Sequence, residues 1–239
     1  MAKLGVHDLT VRYGKLTALA EVSFAVAEGE RLFISGPNGA GKSSLLAAVA
    51  GAVHAAHGRI EMDGDILSGR SPEEIARRGL SMVPEGRRIF RGLSVLENLL
   101  VGTGMRRDRA ALDGDLDSLF AAFPILGERA HANAGVLSGG QQQMLAIARA
   151  LMTNPKLMLV DEPSLGLAPK IVDEVYDRLA ALQEARGLTL VIVEQSSARA
   201  ARVGGRMLLM RGGRIMADGD ARDFAAQDLL AEAYFGGSA

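Results

Sequence analysis

Nine consecutive residues, 36–44, constrain the fold of this chain more strongly than any other segment. They follow the pattern G-x-x-x-x-G-K-S and are Gly36, Pro37, Asn38, Gly39, Ala40, Gly41, Lys42, Ser43 and Ser44. An apolar run, 32–34, precedes the segment, and a run of apolar and small residues, 45–50, follows it. A strand before this pattern and a helix after it are typical of a phosphate-binding loop. The segment therefore predicts a nucleotide-binding α/β core.

The composition of this loop suits the binding of a nucleoside triphosphate and a magnesium ion. Glycine tolerates backbone conformations that other residues avoid, so Gly36, Gly39 and Gly41 allow successive amide N–H groups to point at phosphate oxygens. These amides lie at the start of a predicted helix, where the aligned peptide dipoles favour an anion. We expect Lys42 to reach the β- and γ-phosphates and the Ser43 hydroxyl to ligate Mg²⁺.

Length and charge limit the remaining function classes. The 239 residues are 48% hydrophobic and 23% charged, which predicts one α/β domain with room for an inserted subdomain. The 27 Lys and Arg residues nearly balance 28 Asp and Glu residues, so the net charge gives no electrostatic footprint for nucleic acid. The absence of cysteine excludes disulfides and thiolate metal sites. We find neither a secretory signal nor a membrane-spanning segment, and expect membrane association only through a partner.

Two N-terminal segments, 3–9 and 19–26, alternate apolar and polar residues. This alternation predicts half-buried antiparallel strands. Tyr13 lies between them in a turn-like segment, 12–15. Its ring could stack on a nucleotide base, or it could be an ordinary half-buried loop tyrosine. The residues alone leave both interpretations open.

Helical patterns dominate residues 85–152, where β-branched residues are few. We expect a helical subdomain there, inserted into an ATP-binding core that comprises 1–84 and 153–239 and includes the antiparallel strands as a β subdomain. Within the insertion, 113–123 predicts an amphipathic helix.

A serine and two glycines begin the last predicted helix of this insertion. The four residues concerned are Ser138, Gly139, Gly140 and Gln141. Such a helix start indicates either a second anion-binding site or a simple helix cap.

Two adjacent carboxylates, Asp161 and Glu162, follow a buried strand predicted at 157–160. Open α/β sheets place their active sites at the C-terminal ends of parallel strands. Asp161 suits a magnesium contact, direct or through water, and Glu162 suits a general base that deprotonates the attacking water. An isolated Asp-Glu pair is most often a solvated strand end, but the phosphate-binding loop favours the chemical interpretation.

The remaining C-terminal pattern continues the alternation of helix and strand. Pro169 begins a predicted amphipathic helix, and 188–193 predicts a buried strand that ends at Glu194 and Gln195. A hairpin is expected around Gly212-Gly213, followed by a short helical tail.

In combination, these segments resemble the ATP-binding subunit of ABC transporters along essentially the whole chain. Residues 137–141, Leu-Ser-Gly-Gly-Gln, are similar to the signature motif of that family, and Ser138 lies 23 residues before Asp161. Many NTPases share a phosphate-binding loop, whereas the two motifs in this order are highly specific. More narrowly, four segments resemble the LivF-type subunit of branched-chain amino acid importers: 83–90, 162–169, 193–195 and 233–237.

The resemblance implies a RecA-like P-loop core with an antiparallel β subdomain and an inserted α-helical signature subdomain. It implies a head-to-tail pair of cassettes, in which each ATP lies between the phosphate-binding loop of one subunit and residues 138–141 of the other. Hydrolysis would open the pair and drive conformational change in two membrane permease subunits. A solute-binding protein outside the cytoplasm would deliver the solute to these permease subunits. The expected cofactors are ATP and Mg²⁺, the expected location is the cytoplasmic face of the inner membrane, and Tyr13 becomes the base-stacking residue.

Two positions depart from the broad family pattern and fit the LivF-type subgroup. Glu85 replaces a glutamine; its carboxylate can ligate Mg²⁺ but cannot donate a hydrogen bond and would repel phosphate. Gln195 replaces the switch histidine; it can hydrogen-bond the γ-phosphate but cannot carry a positive charge or relay a proton. We therefore expect Glu162 and Gln195 to be the catalytic residues, in a heterodimer whose sister cassette keeps the histidine.

Two alternative functions are considered for a chain with these motifs. One is a soluble ABC-type ATPase of DNA repair or translation, and the other is an importer cassette for urea or amides. Repair-type members carry long coiled-coil insertions, whereas only 96 residues separate Lys42 from Ser138 here, without sustained heptads. Translation-type members carry two cassettes in one chain, and this sequence has one. A small GTPase or kinase would leave residues 137–141 unexplained.

Two minor features stay open at this point. Arg87 and Arg88 could contact a membrane subunit or be solvated. His54 and His57 are three residues apart in a small-residue loop, where a solvated turn is a better interpretation than a metal site.

Overall fold

The computed structural model describes residues 2–106 and 108–226. Its strands are β1 (Ala2–Tyr13), β2 (Leu16–Ala27), β3 (Arg31–Ser35), β4 (His57–Met62), β5 (Asp65–Ile66), β6 (Leu80–Val83), β7 (Leu157–Asp161), β8 (Thr189–Val193), β9 (Arg206–Arg211) and β10 (Arg214–Asp220). Its helices are α1 (Lys42–Val49), α2 (Pro72–Ala76), α3 (Val95–Val101), α4 (Leu112–Ala122), α5 (Pro124–Glu128), α6 (Gly139–Leu151), α7 (Pro169–Arg186), α8 (Ser197–Val203) and α9 (Ala221–Ala226), with 3₁₀ turns at Arg109–Ala111 and Ala134–Val136. None of the helices in the described ranges is long and apolar enough to cross a bilayer.

The larger of two sheets carries the elements that surround the phosphate-binding loop. Its strand order is β10-β9-β3-β8-β7-β6, with β10 antiparallel and the other neighbours parallel. All residues of β7 and β8 are buried, as expected for parallel strands that are covered on both faces. The carboxyl ends of β3, β6, β7 and β8 lie on one edge, because these strands run in the same direction.

The smaller sheet is antiparallel, with the order β2-β1-β4-β5. Buried and exposed residues alternate along most of β2, which confirms the prediction from the period-2 pattern. Two apolar clusters lie on opposite faces of the large sheet. One joins the small sheet and α1 to Leu32 and Ile34, while the other joins α6 and α7 to Phe33. The helix after the phosphate-binding loop is therefore held between the two sheets.

Helices alone form the regular structure between β6 and β7 in the described residues, apart from one isolated bridge between Ser94 and Asn133. The amphipathic helix predicted at 113–123 is α4. The Arg106 side chain is 3% exposed, pairs with Asp108 and Asp115, and donates from Nη1 to the Met152 carbonyl at the end of α6. These contacts tie α4 to α6, the helix that follows Ser138.

One sequence prediction needs correction, one helix was not predicted, and one predicted feature lies outside the described residues. Tyr13 is the last residue of β1 rather than a turn residue, and the turn begins at Gly14. Helix α8 was not predicted, since its sequence, Ser-Ala-Arg-Ala-Ala-Arg-Val, carries little apolar periodicity. The segment 233–237, which contributed to the family resemblance, lies outside the described residues.

Candidate nucleotide-binding and hydrolysis site

The phosphate-binding loop connects the buried end of β3 to α1. Gly36, Gly39 and Gly41 have φ angles of 147°, 80° and 101°, a region that other residues rarely adopt. A Cβ atom on Gly36 would lie 2.1 Å from the Met210 carbonyl oxygen, and one on Gly41 would lie 2.5 Å from that of Ala18. These glycines are thus required both for loop conformation and for close approach of neighbouring backbone.

A backbone contact from the β9–β10 turn supports the same loop. The Gly213 N–H donates to the Ala40 carbonyl at 3.0 Å, and the Ala20 N–H donates to the Gly213 carbonyl at 2.9 Å. The Gly213 φ angle of 76° and the closeness of the Ala18 carbonyl exclude a side chain at this turn. The hairpin predicted around 212–213 therefore connects the loop to the small sheet.

Lys42 is folded against its own loop and is 5% exposed. Its Nζ donates to the carbonyl oxygens of Gly36 at 2.7 Å and Pro37 at 3.1 Å. Burial lowers the pKa of Lys42, and the charges of Glu162 and Asp161 oppose that shift. The ammonium group is thus held where triphosphate oxygens could replace the loop carbonyls as its acceptors.

The first turn of α1 has no side-chain cap. Its N-cap residue, Gly41, is in the left-handed conformation and provides no side-chain acceptor. The helix dipole and the initial N–H groups therefore face the loop without a competing carboxylate or hydroxyl cap, an arrangement that suits an anion.

Asp161 provides the best test of whether a magnesium ion fits. It is 4% exposed, and its Oδ1 has no hydrogen-bond partner. Burial raises the pKa of Asp161, the charges of Glu162 and Glu85 raise it further, and the Ser43 hydroxyl lowers it. A cation would satisfy this orphaned acceptor. No group of three or more His, Cys, Asp or Glu side chains in the described residues could hold a metal ion.

Glu162 and Gln195 meet at the ends of β7 and β8. The Gln195 Nε2 donates to Glu162 Oε1 at 2.7 Å and lies 3.4 Å from Asn38 Oδ1 in the phosphate-binding loop. Glu162 adopts a φ of 46°, and its N–H donates to the Val193 carbonyl at 3.1 Å. Strained backbone of this kind is common at functional sites. The two residues predicted to be catalytic are therefore in direct contact.

One open cavity of about 530 Å³ joins most of the predicted site. Its lining includes Tyr13, residues 38–44, Glu85, Glu162 and Gln195. The Tyr13 ring is 48% exposed, and its hydroxyl lies 3.5 Å from Ser44 Oγ. An exposed ring beside the loop is compatible with base stacking. Sequence reasoning missed other residues of this lining, including Leu16 and Leu165, because their own segments carry no phosphate-binding pattern.

Residues 138–141 lie outside this cavity within the described part of the chain. Ser138 caps α6: its Oγ accepts from the Gln141 N–H at 3.3 Å, and Gln141 Oε1 accepts from the Ser138 N–H at 2.9 Å. Gly140 is buried, and a Cβ there would lie 2.3 Å from Ile171 Cγ2, so this glycine allows α6 to approach α7. The segment therefore forms a capped helix end apart from the nucleotide-binding loop.

The structure also places the minor features of the sequence. Arg87 and Arg88 adopt φ angles of 67° and 46°. Arg87 extends along α6, with Nη1 3.4 Å from Gln142 Oε1, whereas Arg88 is exposed. His54 and His57 are both exposed, but the prediction of a turn is wrong for His57, which is the first residue of β4 and pairs with Thr10.

The sequence analysis identified a buried carboxylate, Glu194, only as a strand end. It is 2% exposed and directly precedes Gln195. A glutamate at the end of an otherwise apolar strand was the available signal, but two of its partners, Tyr176 and Ser164, lie 18 and 30 residues away in sequence.

Comparison with known proteins agrees with this geometry. Residues 19–165 match the family model described as "ABC transporter". The high-affinity branched-chain amino acid transport ATP-binding protein BraG of Pseudomonas aeruginosa is 41% identical, over 98% of this chain and all of that protein. A probable branched-chain amino acid transport ATP-binding protein, LivF of Archaeoglobus fulgidus, is 31% identical over 90% of this chain and 91% of that protein.

Two solved structures extend the likeness to the fold. One is the ADP conformation of an ATP-binding cassette of an ABC transporter, with a TM-score of 0.86, 28% identity and coverage of 99% of this chain and 100% of that one. The other is a dimeric cassette in a post-hydrolysis state bound to ADP and Pi, with a TM-score of 0.80, 26% identity and coverage of 92% and 99%. The RecA-like P-loop fold with a β subdomain and an inserted helical segment is confirmed. This chain belongs to the ABC transporter family, and its activity is that of a nucleotide-binding ATPase.

Proposed function

We propose that this chain powers the import of branched-chain amino acids, or of similar small polar solutes, through membrane permease subunits. The names of the relatives BraG and LivF support this solute class. The observation that carries the chemical part is the single cavity in which the phosphate-binding loop, Glu162 and Gln195 meet. The solute itself does not enter this cavity, so its identity is inferred from relatives alone.

The residues of the cavity divide the work of hydrolysis. Lys42 and the loop amides bind the β- and γ-phosphates, while Tyr13 stacks on the base. Glu162 accepts a proton from the attacking water. Gln195 orients the Glu162 carboxylate relative to the γ-phosphate through hydrogen bonds. The proton of the water thus ends on Glu162 Oε1 or Oε2.

Ser43 and Asp161 would hold Mg²⁺, with Glu85 as a further ligand. The unpartnered Oδ1 of Asp161 supports this assignment. When bound, the ion neutralises charge on the β- and γ-phosphate oxygens during phosphoryl transfer.

The second half of each site comes from another cassette. Residues 138–141 lie apart from the chain's own cavity, and the capped start of α6 presents an exposed Ser138. The dimeric relative bound to ADP and Pi supports a paired arrangement. We infer a sister ABC ATPase as the partner, because Gln195 cannot relay a proton as a histidine would.

Permease subunits would dock on the helical segment, which we assign to 85–152, with the ATP-binding core in 1–84 and 153–239. Large apolar side chains are exposed in a short part of it, namely Phe90, Leu100, Val101 and Met105. The Arg149 guanidinium lies 5.2 Å from the centre of the Phe90 ring, and its Nη1 is buried without a partner. An amphipathic helix from each permease subunit would cover the exposed apolar side chains. The chain would then lie at the cytoplasmic face of the inner membrane, with an extracytoplasmic solute-binding protein acting upstream.

A Glu162→Gln variant tests this function. It removes the base but keeps a side chain that can pair with Gln195, so the variant should bind MgATP, lose turnover and accumulate as a dimer. Size and ATPase rate are measured with MgATP, alone and with the cassette encoded beside it. Glu184→Gln, an exposed change on α7, is the control.

Two results would oppose the proposal. Unchanged turnover in Glu162→Gln would reject the base, and a chain that stays monomeric with every cassette offered would reject the paired site. If the chain forms only a homodimer and the wild-type chain hydrolyses ATP rapidly, the proposed sister cassette is wrong, but the proposed ATPase mechanism still holds.

A further inference from the structure

Glu194 connects the hydrolytic residues to two helices through one buried carboxylate. Its Oε1 accepts hydrogen bonds from the N–H groups of Gln195 at 2.9 Å and Ser196 at 3.0 Å, and from Arg199 Nη1 at 2.8 Å. Its Oε2 accepts from the hydroxyls of Ser164 at 2.9 Å and Tyr176 at 2.5 Å. Five donors, on the segment after β8, on α8, on α7 and on the segment after β7, thus converge on one side chain.

This arrangement suits an ionised carboxylate. A buried charge is tolerated when it is paired and hydrogen-bonded, and Arg199 supplies the opposite charge. Burial and the Glu194 charge both raise the pKa of Tyr176 well above its ordinary value, so the phenol stays protonated and donates. All five contacts therefore require an acceptor on both oxygens of Glu194.

The two oxygens fix the two members of the Gln195–Glu162 pair. Oε1 holds the backbone of Gln195 itself, whereas Oε2 holds Ser164, two residues beyond Glu162. The 2.7 Å contact between Gln195 Nε2 and Glu162 Oε1 is therefore set by segments that both attach to Glu194.

We propose that Glu194 is a positioning residue for ATP hydrolysis, which aligns Gln195 with Glu162 by joining the segment after Glu162 to β8, α7 and α8. This inference rests on the roles proposed above for Glu162 and Gln195. Glu194 has no contact with the cavity that contains the phosphate-binding loop, so it acts through its neighbours.

Glu194→Gln tests the proposal with little change in volume. An amide has only one oxygen, so if that oxygen faces the backbone donors, the hydroxyls of Ser164 and Tyr176 must rotate to accept from an NH₂ group. Arg199 also loses its charged partner. We expect kcat to fall about tenfold while the KM for ATP changes less than about twofold, since misalignment affects the chemical step more than binding. Tyr176→Phe removes a single donor, should fold readily and should lower kcat about threefold.

A double-mutant cycle with Gln195→Ala separates positioning from a merely structural role. If Glu194 acts through Gln195, then Glu194→Gln should change kcat less than about twofold in the Gln195→Ala background. Tyr176→Phe should lose its effect there too. If the effects of Glu194→Gln and of Tyr176→Phe on the activation free energy for kcat are each fully additive with that of Gln195→Ala, the proposal is wrong.

Glu30→Gln is the matched control, because Glu30 also accepts a backbone N–H, from Ala27, and pairs with an arginine, Arg206, but lies outside the cavity. It should lower the melting temperature without changing kcat. If Gln195→Ala slows turnover but Glu194→Gln and Tyr176→Phe do not, this inference fails alone. If neither Gln195→Ala nor Glu162→Gln slows turnover, the proposed function fails first.

Discussion

Two helix N-termini in this molecule carry glycine-rich motifs and are built in opposite ways. Helix α1 begins after Gly41 without a side-chain cap, and its Lys42 is 5% exposed inside a cavity. Helix α6 begins after Ser138 with a complete capping box, in which Gln141 is the second member. The first helix leaves its terminal amides for a ligand, whereas the second satisfies part of its own hydrogen bonding.

The difference supports the proposal that the start of α1 binds nucleotide within one chain, whereas the start of α6 serves the nucleotide of a partner. The α1 end lies in a cavity with Lys42 and the exposed Tyr13 ring, while the α6 end is a capped helix with an exposed serine. Hydroxyl groups can exchange one acceptor for another as they rotate, so Ser138 could donate to a phosphate while it still accepts from Gln141. Under this proposal, a site at α6 requires a triphosphate that another subunit holds.

Lys42→Ala should produce the largest effect, because it removes the cation from the α1 end. Turnover should fall about a thousandfold, as for the loss of a preorganised group that stabilises transition-state charge. ATPase assays and nucleotide binding measure the change. Lys156→Ala, at an exposed lysine that pairs with Asp63, is the control and should keep wild-type turnover. Near-normal ATP hydrolysis in Lys42→Ala would contradict the proposed role of Lys42 and the start of α1 in phosphate binding.

Arg106→Ala should weaken the support of α6 and leave α1 unchanged. Loss of this side chain leaves Asp115 with only its longer pair to Arg186, at 3.6 Å, and leaves the Met152 carbonyl without its donor. We therefore expect the free energy of unfolding to fall by about 3 kcal/mol. Urea denaturation measures it. Arg202→Ala, which breaks the exposed pairs with Asp173 and Asp177, should cost less than about 1 kcal/mol. Equal losses of unfolding free energy in Arg106→Ala and Arg202→Ala would show that the buried Arg106 contributes no more to stability than an exposed arginine.

Ser138→Ala should separate nucleotide binding from turnover. The variant loses a helix cap worth about 1 kcal/mol and the proposed hydrogen bond to a phosphate of the nucleotide that the partner holds. ATP affinity of the isolated chain should stay within about twofold, while turnover falls about tenfold. Ser71→Ala removes an equivalent capping box from α2 and should keep full turnover. An equal loss of turnover in both variants would assign Ser138 to capping alone.

Tyr13→Ala should have the smallest effect, since stacking is only one part of binding at the α1 end. Loss of the ring should weaken ATP binding by about 1 kcal/mol, or roughly fivefold. Tyr13→Phe keeps the ring, loses only the 3.5 Å contact to Ser44, and should bind ATP as the wild-type chain does. Equal affinities for all three proteins would exclude base stacking.

Local patterns in the sequence were sufficient for most of the fold. The loop at 36–44, the antiparallel strands β1 and β2 and the amphipathic α4 follow from residue spacing, which acts within a few positions. The contact between Glu162 and Gln195 spans 33 residues and depends on the pairing of β7 with β8. Sequence could place both residues at strand ends but could not bring them to hydrogen-bonding distance.

The same reason explains the features that were missed. Sequence analysis did not identify Tyr176, which is fully buried on the helix that begins at Pro169. Its hydroxyl partner, Glu194, belongs to a different element, so no local pattern joins them. The roles of residues 138–141 and the boundaries of the helical subdomain stay predictions, since they depend on a partner and on relative motion.

The turn at Gly213 has a consequence for how the chain is made. It donates to Ala40 and accepts from Ala20, so the shape of the phosphate-binding loop depends on a hairpin that is synthesised long after the loop itself. Strand β3 likewise pairs with β8 and β9, which also follow it by a long stretch of chain. It follows that a nascent chain in which this hairpin has not yet formed, or a chain truncated before Gly213, lacks the contacts that shape the ATP site.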